Sequence, residues 1–195
     1  LHSRGCSRTM APGILCLYRI DDYESTLKEV SSSNDCQASM IDDETVVVYN
    51  FDRMSAAIKG LRGDEQLASC DALYESDGDI YLIEFKNQPS RNIKTNDIQR
   101  KLFDSLAQLL VVWRKSVSCE ELSGKIHAYV VFNNGGKDVS FEAIRNKNYT
   151  LAYPTTPDES VLFDLRSKLS LLFKEIHTVD IGRFNDVYRD RIFAS

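Results

Sequence analysis

The sequence predicts an α/β domain with a mixed central β-sheet flanked by helices, and three observations predict it. Two strand-forming runs, residues 70–75 and 79–87, meet across Asp77-Gly78, a dipeptide suited to a tight hairpin because both turn positions require positive φ. A long amphipathic helix over about residues 97–115 then leads to a further apolar strand at 125–133. That strand–helix–strand order makes a right-handed parallel unit on the hairpin sheet. The third observation is T-V-V-V-Y-N at residues 45–50, a β-branched run that reads as another strand.

Composition fits one such domain. The chain has 195 residues, 43% hydrophobic and 27% charged, enough for one sizeable core and too few for two. No apolar run approaches the ~18–20 residues that a membrane span needs. Five scattered cysteines without a C-x-x-C pair argue against a zinc ribbon or a disulfide framework, and point to a reducing cytoplasm. The net charge of −5 speaks against a broad basic surface, yet residues 86–101 hold five cations against the single anion Asp97. Phosphate-loop, dinucleotide and nucleophile-elbow motifs are absent from the sequence.

In chain order, residues 1–9 show no periodicity and read as an appended remnant or a disordered N-terminus, leaving 10–195 as the domain. Asp21 or Asp22 caps an expected short helix over 23–30, and 31–43 is polar and loop-like. Phe51, Met54, Ile58 and Leu61 have helical spacing, ended by Gly63. After the hairpin comes a basic loop, 88–95, with Arg91 and Lys94; Thr95 or Asn96 then caps the long helix. Its stripe runs through Ile98, Leu102, Ser105, Leu109 and Val112, with Lys101, Asp104, Ser105 and Gln108 aligned beside it. Residues 138–158 look irregular, and a final helix is expected over 161–175, with His177 at its C-terminal end. His127 has no His or Cys partner suitably spaced and reads as a packed or surface imidazole rather than a metal ligand.

The hairpin carries the chemistry. With Asp77 and Gly78 as the loop, Ser76 faces Asp79, and counting back sets Leu73 against Leu82, Ala72 against Ile83 and Asp71 against Glu84. Asp71, Glu84 and Lys86 then project from one face. Opposed carboxylates repel, so the pair needs a shared proton or a cation. Hard oxygen ligands so placed suit Mg²⁺ or Mn²⁺, and Lys86, one pleat beyond Glu84, can orient a water or meet charge on a phosphoryl group.

Asp71 followed by Glu84-Phe85-Lys86 at the end of an apolar strand resembles the PD-(D/E)XK nuclease superfamily, and the order of elements over about residues 20–135 agrees with it. Within it, I-E-F-K-N followed by D-I-Q-R-K-L-F-D-S-L is similar to uncharacterised bacterial or phage members. The proline that often precedes the aspartate is replaced by Cys70. The resemblance implies a restriction-endonuclease-like core and a metal-dependent nuclease acting on nucleic acid, DNA in preference to RNA, with a homodimer among the open oligomeric states. It implies Asp71, Glu84 and the Phe85 carbonyl as ligands of Mg²⁺ or Mn²⁺, with Lys86 assisting catalysis. Accessory roles fall to Lys101 or Gln99 on the following helix and to an acid from an earlier one, Glu24 or Glu29, or else Asp64 or Glu65. Arg91, Lys94 and Lys101 would hold substrate phosphate. The rival readings are a catalytically silent binding module and a protein-interaction or antidote protein.

Overall fold

The computed structural model describes residues 20–32, 38–62, 67–112, 123–135 and 161–194. Its strands are β1 (Glu24–Thr26), β2 (Val47–Asn50), β3 (Ala72–Ser76), β4 (Asp79–Lys86), β5 (Ile126–Phe132) and β6 (Glu175–Asp180). They lie side by side in chain order, antiparallel from β1 to β4 and parallel from β4 to β6. The helices are α1 (Leu27–Val30), α2 (Phe51–Arg62), α3 (Thr95–Val112) and α4 (Leu165–Leu169). A C-terminal helical segment follows: α5 (Ile181–Arg183), a wider π-turn (Phe184–Tyr188) and α6 (Arg189–Phe193). Among the described residues, no helix is long and apolar enough to cross a membrane.

The hairpin has the register counted from the sequence, Ser76 opposite Asp79 through Ala72 opposite Ile83. Asp77 and Gly78 both take positive φ, 53° and 81°, as a two-residue turn of this hand demands. A Cβ on Gly78 would meet nothing within 4 Å, so Gly78→Ala tests backbone conformation alone. It is expected to cost about 1 kcal/mol, read as a lower denaturant midpoint at unchanged slope.

Helices cover both faces of the sheet. On one, Phe51 and Met54 of α2 and Ile98, Leu102 and Leu109 of α3 pack on Leu73, Ile80, Leu82, Ala128 and Val130. On the other, Leu27, Val30, Phe184, Tyr188 and Ile192 pack on Ala72, Ile83, Phe85, Tyr129 and Val131. Between these layers all seven residues of β5 are buried, as expected of a parallel strand covered on both faces. His127 is packed within it, its Nε2 3.1 Å from Asp79 Oδ2 and its Nδ1 3.3 Å from Glu175 Oε2. The imidazole thereby ties the start of β4 to the start of β6 across the strand between them.

Two expected elements differ. Residues 23–30 are not one helix: a 3₁₀ turn (Ile20–Tyr23) leads into β1, and only Leu27–Val30 is α-helical. The reason is a capping box. Thr26 Oγ1 accepts from the Glu29 N–H while the Glu29 carboxylate accepts from the Thr26 N–H, which starts the helix after Thr26. The expected helix over 161–175 shortens to α4, and Glu175–Asp180 becomes β6. Leu165 and Leu169 do face the core, but Leu171 is 88% exposed, so the helical phase is lost there. Ile176, Thr178 and Val179 then favour extension, and the Lys174 N–H joins the sheet through the Ile126 carbonyl at 2.7 Å. His177 accordingly lies within β6, stacked on Tyr129, and not at a helix terminus. The expected strand at 45–50 begins at Val47, and the long helix begins at Thr95. Residues 1–9, Gly63, Asp64, Glu65 and 138–158 lie outside the described residues.

Candidate functional site

The site forms where β3 begins and β4 ends, at the seam between the antiparallel and parallel halves of the sheet. Backbone direction decides what faces it. The Ile80 N–H donates to the Lys125 carbonyl and the Lys86 carbonyl accepts from Asn133, so alternate residues of β4 from Ile80 direct their backbone groups to the β5 side. Phe85, out of phase with these, directs its own toward β3. Its N–H is taken by Asp71 Oδ2 at 2.6 Å. If the ladder continued, the Cys70 N–H would reach the Phe85 carbonyl, but it donates instead to Ser105 Oγ at 2.8 Å. The Phe85 carbonyl is thereby left outside the ladder, on the side where Asp71 lies.

The polar edge of α3 holds the segment that delivers Asp71. Besides the Ser105 bond, the Ala68 N–H donates to Asp104 Oδ2 at 3.1 Å, and Gln108 Nε2 donates to the Ala68 carbonyl at 2.9 Å. From the other side the Phe51 N–H, at the start of α2, donates to the Asp71 carbonyl at 3.1 Å. Three of the four polar residues aligned along α3 are therefore anchors. Ser105→Ala leaves the buried Cys70 N–H without its acceptor and is expected to cost about 1–3 kcal/mol, measured by denaturant unfolding.

The fourth, Lys101, reaches the carboxylates. Its Nζ stands 2.8 Å from Glu84 Oε1, 3.0 Å from Glu84 Oε2 and 3.4 Å from Asp71 Oδ1. Lys86 Nζ stands 2.6 Å from Glu84 Oε1. Glu84 is fully buried between these two ammoniums. Its Oε1 lies within ion-pair distance of both. Lys101 thus meets the carboxylates and not Asp104, which accepts from the Ala68 N–H.

Charge follows from this geometry. Burial and the neighbouring Glu84 push the Asp71 carboxyl up to about 8, while Lys101 and the Phe85 N–H pull it the other way less strongly. Burial works against the Lys101 ammonium, but Glu84 and Asp71 outweigh it and raise its pKa above the ordinary lysine value. A third carboxylate is felt by both: Asp52, in the first turn of α2, raises Asp71 and supports the charge on Lys101. Asp52 also accepts from Ser69 Oγ. Sequence reasoning missed Asp52, although its place one residue into the helix preceding the hairpin was a usable signal.

The other expected accessory residues lie elsewhere. Glu24 is exposed on β1, three strands from β4 and so about 14 Å across the sheet. Glu29 closes the α1 capping box. Gln99 turns from the carboxylates: its Nε2 donates to the Phe163 carbonyl at 2.8 Å and its Oε1 accepts from Lys168 at 3.0 Å. Arg91 and Lys94 are exposed before α3. Among the described residues neither side chain forms an ion pair, and neither is brought against Asp71 or Glu84. Asp64 and Glu65 are outside the described residues.

Among the described residues no group of three or more His, Cys, Asp or Glu side chains is spaced to hold a metal ion. A set of Asp71, Glu84 and the Phe85 carbonyl is smaller, and suits Mg²⁺, which keeps waters and takes one or two carboxylates. Two carboxylates close enough to share one ammonium, one of them fully buried, fit such an ion. Compared with known protein families, curated proteins and solved structures, the chain has no significant match.

Proposed function

We propose that the chain is a divalent-metal-dependent nuclease with a restriction-endonuclease-like core, hydrolysing phosphodiester bonds, DNA in preference to RNA. The observation that carries this reading is the convergence of Asp71, Glu84, Lys86 and the Phe85 backbone at one strand end, in the register expected for that chemistry. A bound Mg²⁺ or Mn²⁺ would supply Lewis-acid polarisation of the phosphate and a water of lowered pKa. Asp71 and Glu84 would hold the ion, joined by the Phe85 carbonyl. Lys86, with 24% of its side chain exposed, can reach past Glu84 to position a water or meet charge growing on phosphate oxygens. Exposed Arg91, Lys94 and Arg100 offer positive charge before and along α3 for the phosphate backbone.

One observation favours a second reading. Both carboxylates already lie beside ammoniums, as in a purely structural ionic cluster, and a nuclease fold that only binds nucleic acid would look the same. Purified protein incubated with mixed DNA and RNA under Mg²⁺ or Mn²⁺, beside Lys86→Ala, separates the two. A nuclease cleaves, and the variant loses roughly a hundredfold or more in rate. Nucleic-acid binding without cleavage under either metal selects the binding module, and cleavage undiminished in Lys86→Ala removes the assigned mechanism.

A further inference from the structure

We infer that Lys101 is the resident cation of this site, holding the two carboxylates until a substrate phosphodiester draws its ammonium away, so that phosphate and divalent metal bind cooperatively. The inference rests on the metal-dependent reading above and concerns how that site is regulated. Lys101 bridges the pair, within 3.0 Å of both Glu84 oxygens and 3.4 Å from Asp71 Oδ1. Lys86, by contrast, is paired to Glu84 alone among the described carboxylates. Asp71 and Glu84 are the residues that would hold the metal, so the ammonium and a metal ion compete for the same oxygens.

Charge makes the competition steep. Two ammoniums already face Glu84 and Asp71, and Glu84 is fully buried. A dication entering without displacing an ammonium would add two positive charges to a buried cluster that already holds two ammoniums, with little water to screen them. Lys101 can leave. Its side chain is 23% exposed on a flexible stem, and its neighbour on the same helix, Arg100, is exposed. A phosphodiester arriving there offers Lys101 another anion and gives the carboxylates back to the metal. Linkage requires the reverse as well: metal bound at Asp71 and Glu84 frees Lys101 and tightens phosphate. Metal-free protein is thereby kept from loading metal unproductively in the absence of nucleic acid.

The test is Mn²⁺ binding, followed by the paramagnetic signal of the free ion, with and without a saturating DNA oligonucleotide carrying cleavage-resistant phosphorothioate linkages. Lys101→Met keeps the aliphatic stem and loses the charge. It is expected to bind Mn²⁺ alone roughly tenfold or more tightly than wild type, with no further gain from the oligonucleotide, while wild type tightens by a similar factor when the oligonucleotide is added. Lys101→Gln guards against a folding defect and should follow Lys101→Met, whereas Lys101→Arg should keep weak binding and the coupling. Equal Mn²⁺ affinity of wild type, Lys101→Met and Lys101→Gln overturns the inference but leaves the metal site standing. Tightening in the variants without coupling in wild type overturns the phosphate half. No Mn²⁺ binding by any of the proteins, with or without the oligonucleotide, overturns the metal-dependent reading itself.

Discussion

Glu84→Gln is expected to destabilise the fold by about 3–5 kcal/mol and to abolish metal-dependent cleavage. The stability loss follows from geometry. Glu84 is fully buried, and two ammoniums lie within 2.8 Å of its Oε1. Glutamine has nearly the same shape but no charge, so Lys86 and Lys101 lose the anion that made their partial burial tolerable. Breaking a buried pair by removing one partner is costly because the remaining charge is uncompensated. Asp71 compensates only in part, being 3.4 Å from Lys101, and burial still works against its charged form once the Glu84 charge is gone. Denaturant unfolding reads the first effect, and cleavage under Mg²⁺ or Mn²⁺ reads the second. A variant as stable as wild type would show that the ammoniums turn to solvent and contribute nothing. One that cuts normally would remove Glu84 from the mechanism.

How much of this was legible depends on how local the signal was. Asp77-Gly78 sets a turn geometry, the turn sets the register, and the register brings Asp71 to Glu84. The structure follows that register from Ser76 opposite Asp79 to Ala72 opposite Ile83. Asp71 lies one residue beyond the ladder and reaches Glu84 by accepting the Phe85 N–H and sharing Lys101 with it. Helical spacing in α3 likewise exposed the row Lys101, Asp104, Ser105 and Gln108. What spacing could not supply was the object each one meets. Three of them fasten Ala68 and Cys70, and only Lys101 reaches the carboxylates.

The misses come from tertiary choices. In residues 161–180 leucines at helical spacing are followed by an alternating E-I-H-T-V-D run, and the second pattern prevails beyond Leu169 because β5 offers a parallel edge to pair with. Asp52 was overlooked for a related reason. Its relevance depends on α2 starting directly after β2, with the Phe51 N–H on the Asp71 carbonyl, a contact made between segments 20 residues apart. Glu24 failed in the opposite sense: an acid near the expected first helix fell on an edge strand once Thr26 and Glu29 had moved the helix start.

Asp71→Asn should act on stability in the opposite direction to Glu84→Gln, stabilising the metal-free protein above about pH 8 while destroying metal binding. Folding raises the Asp71 pKa from its ordinary value near 3.8 to about 8. A group raised on folding adds stability that is complete below the unfolded pKa and is lost as pH climbs through the folded one, so wild type weakens between about pH 4 and pH 8. The causes are burial first and then the Glu84 charge, and asparagine escapes both. Its side-chain oxygen can still accept the Phe85 N–H, so the 2.6 Å bond that orients the side chain keeps a counterpart. The side chain retains 18% exposure, so the gain at pH 9 is discounted for solvent screening to about 2 kcal/mol. Unfolding midpoints of wild type and Asp71→Asn, measured without metal from pH 5 to pH 9, should diverge as pH rises. Parallel curves would mean that Asp71 ionises at an ordinary pKa. If saturating Mg²⁺ removes the divergence by stabilising wild type alone, the carboxylate is kept at a cost in stability because it holds the ion.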